Sequence, residues 1–282
     1  MRLIVHLGLH KTASTNLQHL LHAHRGALGS RGVFYQASST SAAHHEVAWR
    51  LLGGDPTLLD AMLAEARRQE REDIILSSED LEGLFFNPAP ARLIQESAQR
   101  AGASVEWHAV LRKPDAYFSS LYAQLQCHVY ADALTMFAEI MNKGGLYMHN
   151  PAPNWGGTPF WYYSFDHARD LDVFARATGQ HVFAHDYADD QRFPGWRLLQ
   201  RLGVLDLITQ LPDEVGQNRR HPADVVLAGY RARIAEAGGG TLKRHVDAAV
   251  AVSMASVPHC AQLINERFAD SHAQALNRFG GK

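Results

Sequence analysis

Residues 3–18 read LIVHLGLHKTASTNLQ, and the order of chemistries in that stretch decides how the chain is read. Leu3–Leu7 is a short apolar run that stops at Gly8, the pattern of a buried strand. Lys11, Thr12, Ser14 and Thr15 follow, and from Thr15 onward Leu17, Leu20, Leu21 and Leu28 recur at helical spacing. A strand, a polar loop with a lysine and then a helix N-terminus can hold an anion. The first amides of a helix point outward, and the helix dipole adds partial positive charge. The ATP- or GTP-binding loop needs a glycine directly before its lysine and a second one upstream. Here His10 precedes Lys11, and Gly8 is the only glycine of the stretch. By itself the stretch reads equally as a phosphate or sulfate site and as a capped helix with a lysine, since Ser and Thr are ordinary caps.

Working outward, DIILSSED (73–80) is a second buried strand that runs into a polar turn, and VEWHAVLRKP (105–114) is a third, ended by Arg112 and Pro114. HVFAH (181–185) is a fourth. Helical patterns lie between them at 55–70, 88–100, from Ala116, at 166–178 and at 194–202, and the chain reads as helices from about Pro222. Apolar strands alternating with helices predict an α/β fold: a central parallel sheet flanked by helices, with a helical C-terminal part. Ligands of such sheets sit at the C-terminal ends of the strands. Gly8–Thr15, Ser77–Asp80 and Arg112–Ser120 all fall there. No internal repeat or low-complexity linker divides the chain, so one domain over 1–282 is expected. Segment 126–165 has little periodicity, carries NPAPNWGGTP (150–159) and is rich in aromatics. It is expected to be a long loop acting as an acceptor-side lid.

The 282 residues are 46% hydrophobic, enough for a large core, and the net charge of −2 implies no global attraction to nucleic acid or to an anionic membrane. Any anion site must be local. Cys127 and Cys260 are far apart, which argues against a disulfide framework and for a reducing compartment. No apolar run approaches transmembrane length. A cytoplasmic protein is expected. The 17 histidines fall in no metal-ligand spacing, so no metal is expected.

A second motif sharpens the first. In LRKPDAYFSSLY (111–122), Arg112 ends a strand, Pro114 suits a helix start and Ser120 lies eight positions after Arg112, on the helix. Arginine makes forked contacts to phosphate. Together the two motifs resemble those of the sulfotransferases that use 3′-phosphoadenosine 5′-phosphosulfate (PAPS). HLGLHKTASTNLQ (6–18) is similar to the family's 5′-phosphosulfate loop, commonly KTGTT followed by a helix. LRKPDAYFSSLY is similar to its 3′-phosphate motif, an Arg, then a Ser, usually with a Tyr after it, here Arg112, Ser120 and Tyr122. ILSSEDL (75–81) resembles the segment after the second strand in bacterial and carbohydrate sulfotransferases. FARATGQHVFAHDYADD (174–190) and LLQRLGV (198–204) resemble a later strand and the short helix after it, and ERFADSHAQALNRF (266–279) the C-terminal helix of bacterial members. The match keeps its order along most of the chain and is weakest at 30–72 and 126–165.

The resemblance implies a P-loop-like sulfotransferase fold and transfer of a sulfonate group from PAPS to a hydroxyl of a small-molecule or carbohydrate acceptor, releasing PAP without a metal. It implies that residues Thr12, Ala13, Ser14, Thr15 and Asn16 hold the 5′-phosphate, with Lys11 at the leaving oxygen, and that Arg112 and Ser120 hold the 3′-phosphate. Arg219 and Arg220, in GQNRRHP (216–222), resemble a late basic loop with the same role, or are surface arginines. Glu79 is the implied base; Asp80, His10, His44 and His45 are its rivals. His10, His45, Glu79, Tyr147, Trp155 and Trp161 are candidates for the acceptor side. Ala13 stands where the family has glycine, so its backbone is expected to be helix-like or slightly distorted. Two other readings remain at this stage: a P-loop-like kinase or other nucleotide-dependent transferase, and a non-catalytic PAP-binding protein.

Overall fold

The computed structural model describes residues 1–36, 41–128, 132–150, 157–189, 195–208, 222–236 and 243–280. The elements run β1 (Arg2–His6), α1 (Ser14–Ala23), α2 (Arg25–Ser30), β2 (Val33–Phe34), α3 (His45–Leu52), α4 (Thr57–Arg68), β3 (Asp73–Ser77), a 3-10 turn (Glu79–Glu82), α5 (Gly83–Phe86) and α6 (Ala89–Arg100). They continue as β4 (Ser104–Leu111), α7 (Pro114–His128), α8 (Ala133–Lys143), β5 (Gly145–His149), β6 (Phe160–Ser164), α9 (His167–Thr178), β7 (Val182–Asp186), α10 (Trp196–Arg201), α11 (Ala223–Glu236) and α12 (Lys243–Phe279).

Five strands form one sheet in the order β2-β3-β1-β4-β7, and every pairing in it is parallel. The α/β reading holds, with helices on both faces. Alternation along β1 sorts the side chains. Leu3 and Val5 join the cluster beneath α3, α4, α6 and α9, whereas Ile4 packs with Leu17, Leu20 and Leu21 of α1 and Leu198 and Leu199 of α10. A third cluster, built from α7, α8, α11 and α12, makes the helical C-terminal part. The chain after α12 returns to the sheet, where Gly280 bridges in parallel to Ala184 of β7. Among the described residues, no helix is long and apolar enough to cross a membrane.

Two expectations change. The two-residue β2 is too short to show a period. Segment 126–165 is not one long loop. Asp132 caps α8 by accepting the Thr135 N–H at 3.0 Å, Ala133, Met136 and Ile140 are buried at helical spacing, and β5 and β6 pair as an antiparallel hairpin. The sequence of β6, FWYYS, is apolar at nearly every position, which hides the two-residue alternation of a strand.

The face that carries Ile4 also holds a row of histidines across β1, β4 and β7, His6 and His108 buried and His185 half-buried. His6 and His108 are register partners. His108 Nδ1 lies 3.0 Å from His185 Nε2, with the rings stacked at 5.3 Å. Burial lowers the pKa of each, with repulsion among the imidazoles adding to it: His6 and His185 fall to about 3. His108 is lowered too, burial outweighing its hydrogen bond to Glu106.

Candidate active site at the strand ends

The loop after β1 is held tightly from behind. Gly8 has φ +64°, and a Cβ there would lie 3.0 Å from the Glu79 backbone. Only glycine allows both that torsion and the close approach, so Gly8 brings the turn after β3 against the loop. Lys11 (φ 61°) and Ala13 (φ 59°) are also left-handed. Ala13 is therefore not helix-like: it is the N-cap of α1 in a conformation that costs an L-residue about 1–2 kcal/mol. Local hydrogen bonds offset that cost. The Thr12 hydroxyl donates to Leu9 O at 2.6 Å, and the Ser14 hydroxyl to Gly8 O at 2.8 Å. Those two protons close the loop. Thr12 and Asn16 are buried.

Lys11, Ala13, Ser14, Thr15, Glu79 and Arg112 line one cavity of about 70 Å³, together with His10, Gln124 and Tyr187. Three segments distant in sequence thus converge at the ends of β1, β3 and β4. Arg112 donates to the Lys11 carbonyl at 2.7 Å and lies 5.0 Å from the Tyr187 ring centroid. It also lines a second, larger pocket of about 410 Å³ with Ser120 of α7. Asp115, Ser119, Gln262 and Asn265 complete the polar part of that pocket. None of these four was singled out from the sequence. Gln262 and Asn265 come from α12, whose approach no local pattern announces.

The turn Glu79–Glu82 carries three carboxylates with three different duties. Glu79 faces the cavity, accepts one hydrogen bond from Gln18 Nε2 at 2.9 Å, and lies 3.9 Å from His45 Nε2. Asp80 turns away. It accepts from His45 Nδ1 at 2.9 Å and from the Trp49 indole at 2.7 Å. Burial alone would raise its pKa, but the His10 imidazole 3.7 Å away and the hydrogen bond from His45 bring it well below the usual carboxylate range. Glu82 is fully buried. It accepts both the His10 backbone N–H and the His10 ring, each at 2.8 Å.

His10 follows from that setting. Burial works against its charged form, yet the Asp80 carboxylate 3.7 Å away and the hydrogen bond to Glu82 prevail and raise its pKa to about 10. Its ring is thereby held between two carboxylates. His45 is likewise raised, Asp80 outweighing burial. His44 is buried and structural: its Nδ1 accepts the Ser77 N–H at 3.1 Å, its Nε2 donates to the Gln36 carbonyl, and burial lowers its pKa to about 4. Of the rivals to Glu79, each is committed elsewhere.

The aromatic candidates separate. Tyr147 pairs with Tyr162 and Met148 with Trp161, so Tyr147 and Trp161 occupy opposite faces of the hairpin. Tyr147 is 40% exposed, packed on Phe86 and Phe160. Trp161 faces the α7–α12 cluster, the side on which Tyr163 meets the His10 ring edge-on at 4.8 Å. A single acceptor site cannot be lined by both Tyr147 and Trp161. Trp155, Arg219 and Arg220 lie outside the described residues. Among the described residues, no group of three or more His, Cys, Asp or Glu is arranged to hold a metal ion. No protein-family model, no characterised protein and no solved structure matches the chain.

Proposed function

We propose that this protein is a PAPS-dependent sulfotransferase acting on a hydroxyl acceptor. The observation that supports it best is the position of Arg112. It borders the cavity of Lys11 and Glu79 on one side and the pocket of Ser120 on the other, as a donor with phosphates at both ends of a nucleoside requires. The loop suits an anion: a lysine, a helix N-terminus and left-handed residues that turn the backbone before α1.

In this reading, a sulfonate moves in line from donor to acceptor oxygen, and negative charge builds on the leaving phosphate oxygen. Positioning and charge stabilisation supply most of the catalysis, as in phosphoryl transfer. Lys11 neutralises the leaving oxygen. Arg112 and Ser120 bind the 3′-phosphate, and Arg112, by holding the Lys11 carbonyl, also ties that event to the loop. Glu79 takes the acceptor proton: it lines the same cavity as Lys11, the Gln18 amide steadies its Oε2, and its Oε1 receives the proton beside His45. The P-loop-like fold belongs to this proposal too.

Calorimetry with PAP, ATP–Mg²⁺ and AMP tests it. PAP should bind without metal and more tightly than AMP. Binding of ATP–Mg²⁺ with no response to PAP would sink the proposal. With labelled PAPS and a panel of hydroxyl acceptors, Lys11→Ala should abolish transfer while PAP still binds; no transfer by the wild type, with PAP bound tightly, would leave a binding protein instead.

A further inference from the structure

We propose that Glu82 is a positioning residue that locks the loop of Lys11, the turn of Glu79 and the β5–β6 hairpin into one unit. The proposal rests on the sulfotransferase reading for its catalytic consequence, though not for its structural one.

Glu82 has no exposed surface, and a buried carboxylate persists only when its lone pairs are satisfied. Its satisfaction comes from three separate segments. From the loop, the His10 backbone N–H and ring both reach Oε2 at 2.8 Å. From α7, the Tyr117 hydroxyl donates at 2.9 Å to Oε1. From β6, the Ser164 backbone N–H donates at 2.7 Å to Oε1. Every group that meets the carboxylate is a donor.

The site needs such a lock because the loop is strained. Lys11 and Ala13 sit in left-handed torsions, and strained residues persist only when the surroundings over-determine them. Lys11 is pinned from both directions. The N–H of His10, the residue before it, is held by Glu82, and the carbonyl of Lys11 itself by Arg112. Glu82 also closes the turn that begins with Glu79. One carboxylate therefore sets where the lysine and the base stand relative to each other, and it fastens Tyr163 and the rest of β6 beside them.

Glu82→Gln tests the lock, because an amide puts its NH₂ against a set of donors. With saturating PAPS, kcat should fall by about 100-fold, with a smaller change in acceptor KM, as expected for misplaced reacting groups. A second readout separates positioning from mere stability. His10 is faced by Asp80 and Glu82 of the turn, by Tyr163 of β6 and electrostatically by His45 of α3; Lys11 lines the same cavity, and Tyr117 of α7 meets it through Glu82. In the wild type it stays charged through neutral pH, so PAP affinity should be flat from pH 6.5 to 9. In Glu82→Gln it keeps Asp80 alone, and affinity should fall with rising pH inside that window. Glu82→Asp should restore part of the activity and flatten the profile. A folded Glu82→Gln protein with wild-type kcat and a flat profile would overturn the proposal. Should that variant not fold, Tyr117→Phe, which removes one donor, should weaken PAP binding several-fold; unchanged affinity there would overturn it equally. Should the wild type not bind PAP, the sulfotransferase reading fails, and NMR titration of the His10 imidazole in the unliganded protein decides the lock alone: its midpoint must drop in Glu82→Gln.

Discussion

Two small residues of the loop, Gly8 and Ala13, are both left-handed, yet opposite substitutions are predicted for them. Gly8→Ala adds a left-handed alanine, at about 1–2 kcal/mol, and drives a methyl to 3.0 Å from the Glu79 backbone, so stability and turnover should both fall. Ala13→Gly removes strain. The relief of about 1–2 kcal/mol exceeds the extra chain entropy of about 0.5–1 kcal/mol that glycine loses on folding. Thermal unfolding should therefore shift up by about 1–3 °C; a downward shift would refute the strain at Ala13. Glu79→Gln should lower transfer by about 100-fold or more and leave PAP affinity nearly unchanged, and full activity would remove Glu79 from the chemistry. At this scale the sequence was informative about identity and silent about direction. Lys11, Glu79, Arg112 and Ser120 stand out because charge and hydroxyls sit at strand ends. The inward turn of the Thr12 and Ser14 hydroxyls depends on Lys11 and Ala13 leaving ordinary torsions, which no residue pattern announces. Glu82 did carry a signal: an acid inside the run LEGLFF (81–86), where burial demands partners.

Among the elements, the helices of the C-terminal part converge on one hydroxyl. Ser253 of α12 meets the Tyr122 hydroxyl of α7 at 3.2 Å, the Tyr230 hydroxyl of α11 at 3.3 Å and the Ala133 N–H that starts α8 at 3.0 Å. Ser253→Ala removes a shared partner from three polar groups in a buried place, and should cost about 1–3 kcal/mol. Urea unfolding followed by circular dichroism checks this, and an unchanged midpoint would show that the four helices do not depend on the junction. Because α7 carries Ser120 and α12 carries Gln262 and Asn265, the same variant should weaken PAP binding. Four of the five parallel strands and most of the helices were legible, since apolar runs bounded by Gly, Pro or Arg and a 3.6-residue period survive in isolation. The β5–β6 hairpin was not, because its aromatics serve two faces at once and its strands find each other across a ten-residue connection.

The whole molecule has a stability optimum set by histidines of opposite kinds. His6, His44, His167 and His185 are held neutral, with pKa values lowered to about 3 or 4 chiefly by burial. Their unfolded value near 6.5 is higher, so the unfolded chain binds more protons between those limits. Their contribution is complete above about pH 6.5 and is lost as pH falls toward 4. His10 is the reverse. Its pKa is raised to about 10, the nearby Asp80 carboxylate and the Glu82 hydrogen bond overcoming burial, so its contribution is complete below about pH 6.5 and is lost as pH rises through 10. Stability should therefore peak near pH 6.5, with a steep acid limb and a shallower alkaline one. Urea midpoints from pH 4 to 10 measure both, and His10→Asn should make the alkaline limb shallower, leaving the share of His45. A midpoint that is flat between pH 4.5 and 6.5 would mean that the buried imidazoles are charged. Finally, the bridge from Gly280 to Ala184 has a consequence for how copies of this chain meet in concentrated solution. A parallel sheet has two outer strands whose amides and carbonyls can recruit a strand from another molecule. Here β2 spans only Val33–Phe34, too little to template a neighbour, and at the opposite border the chain's own return sits against β7. A neighbouring strand would therefore find only two residues to pair with on one side and, on the other, a strand whose middle residue, Ala184, is already engaged.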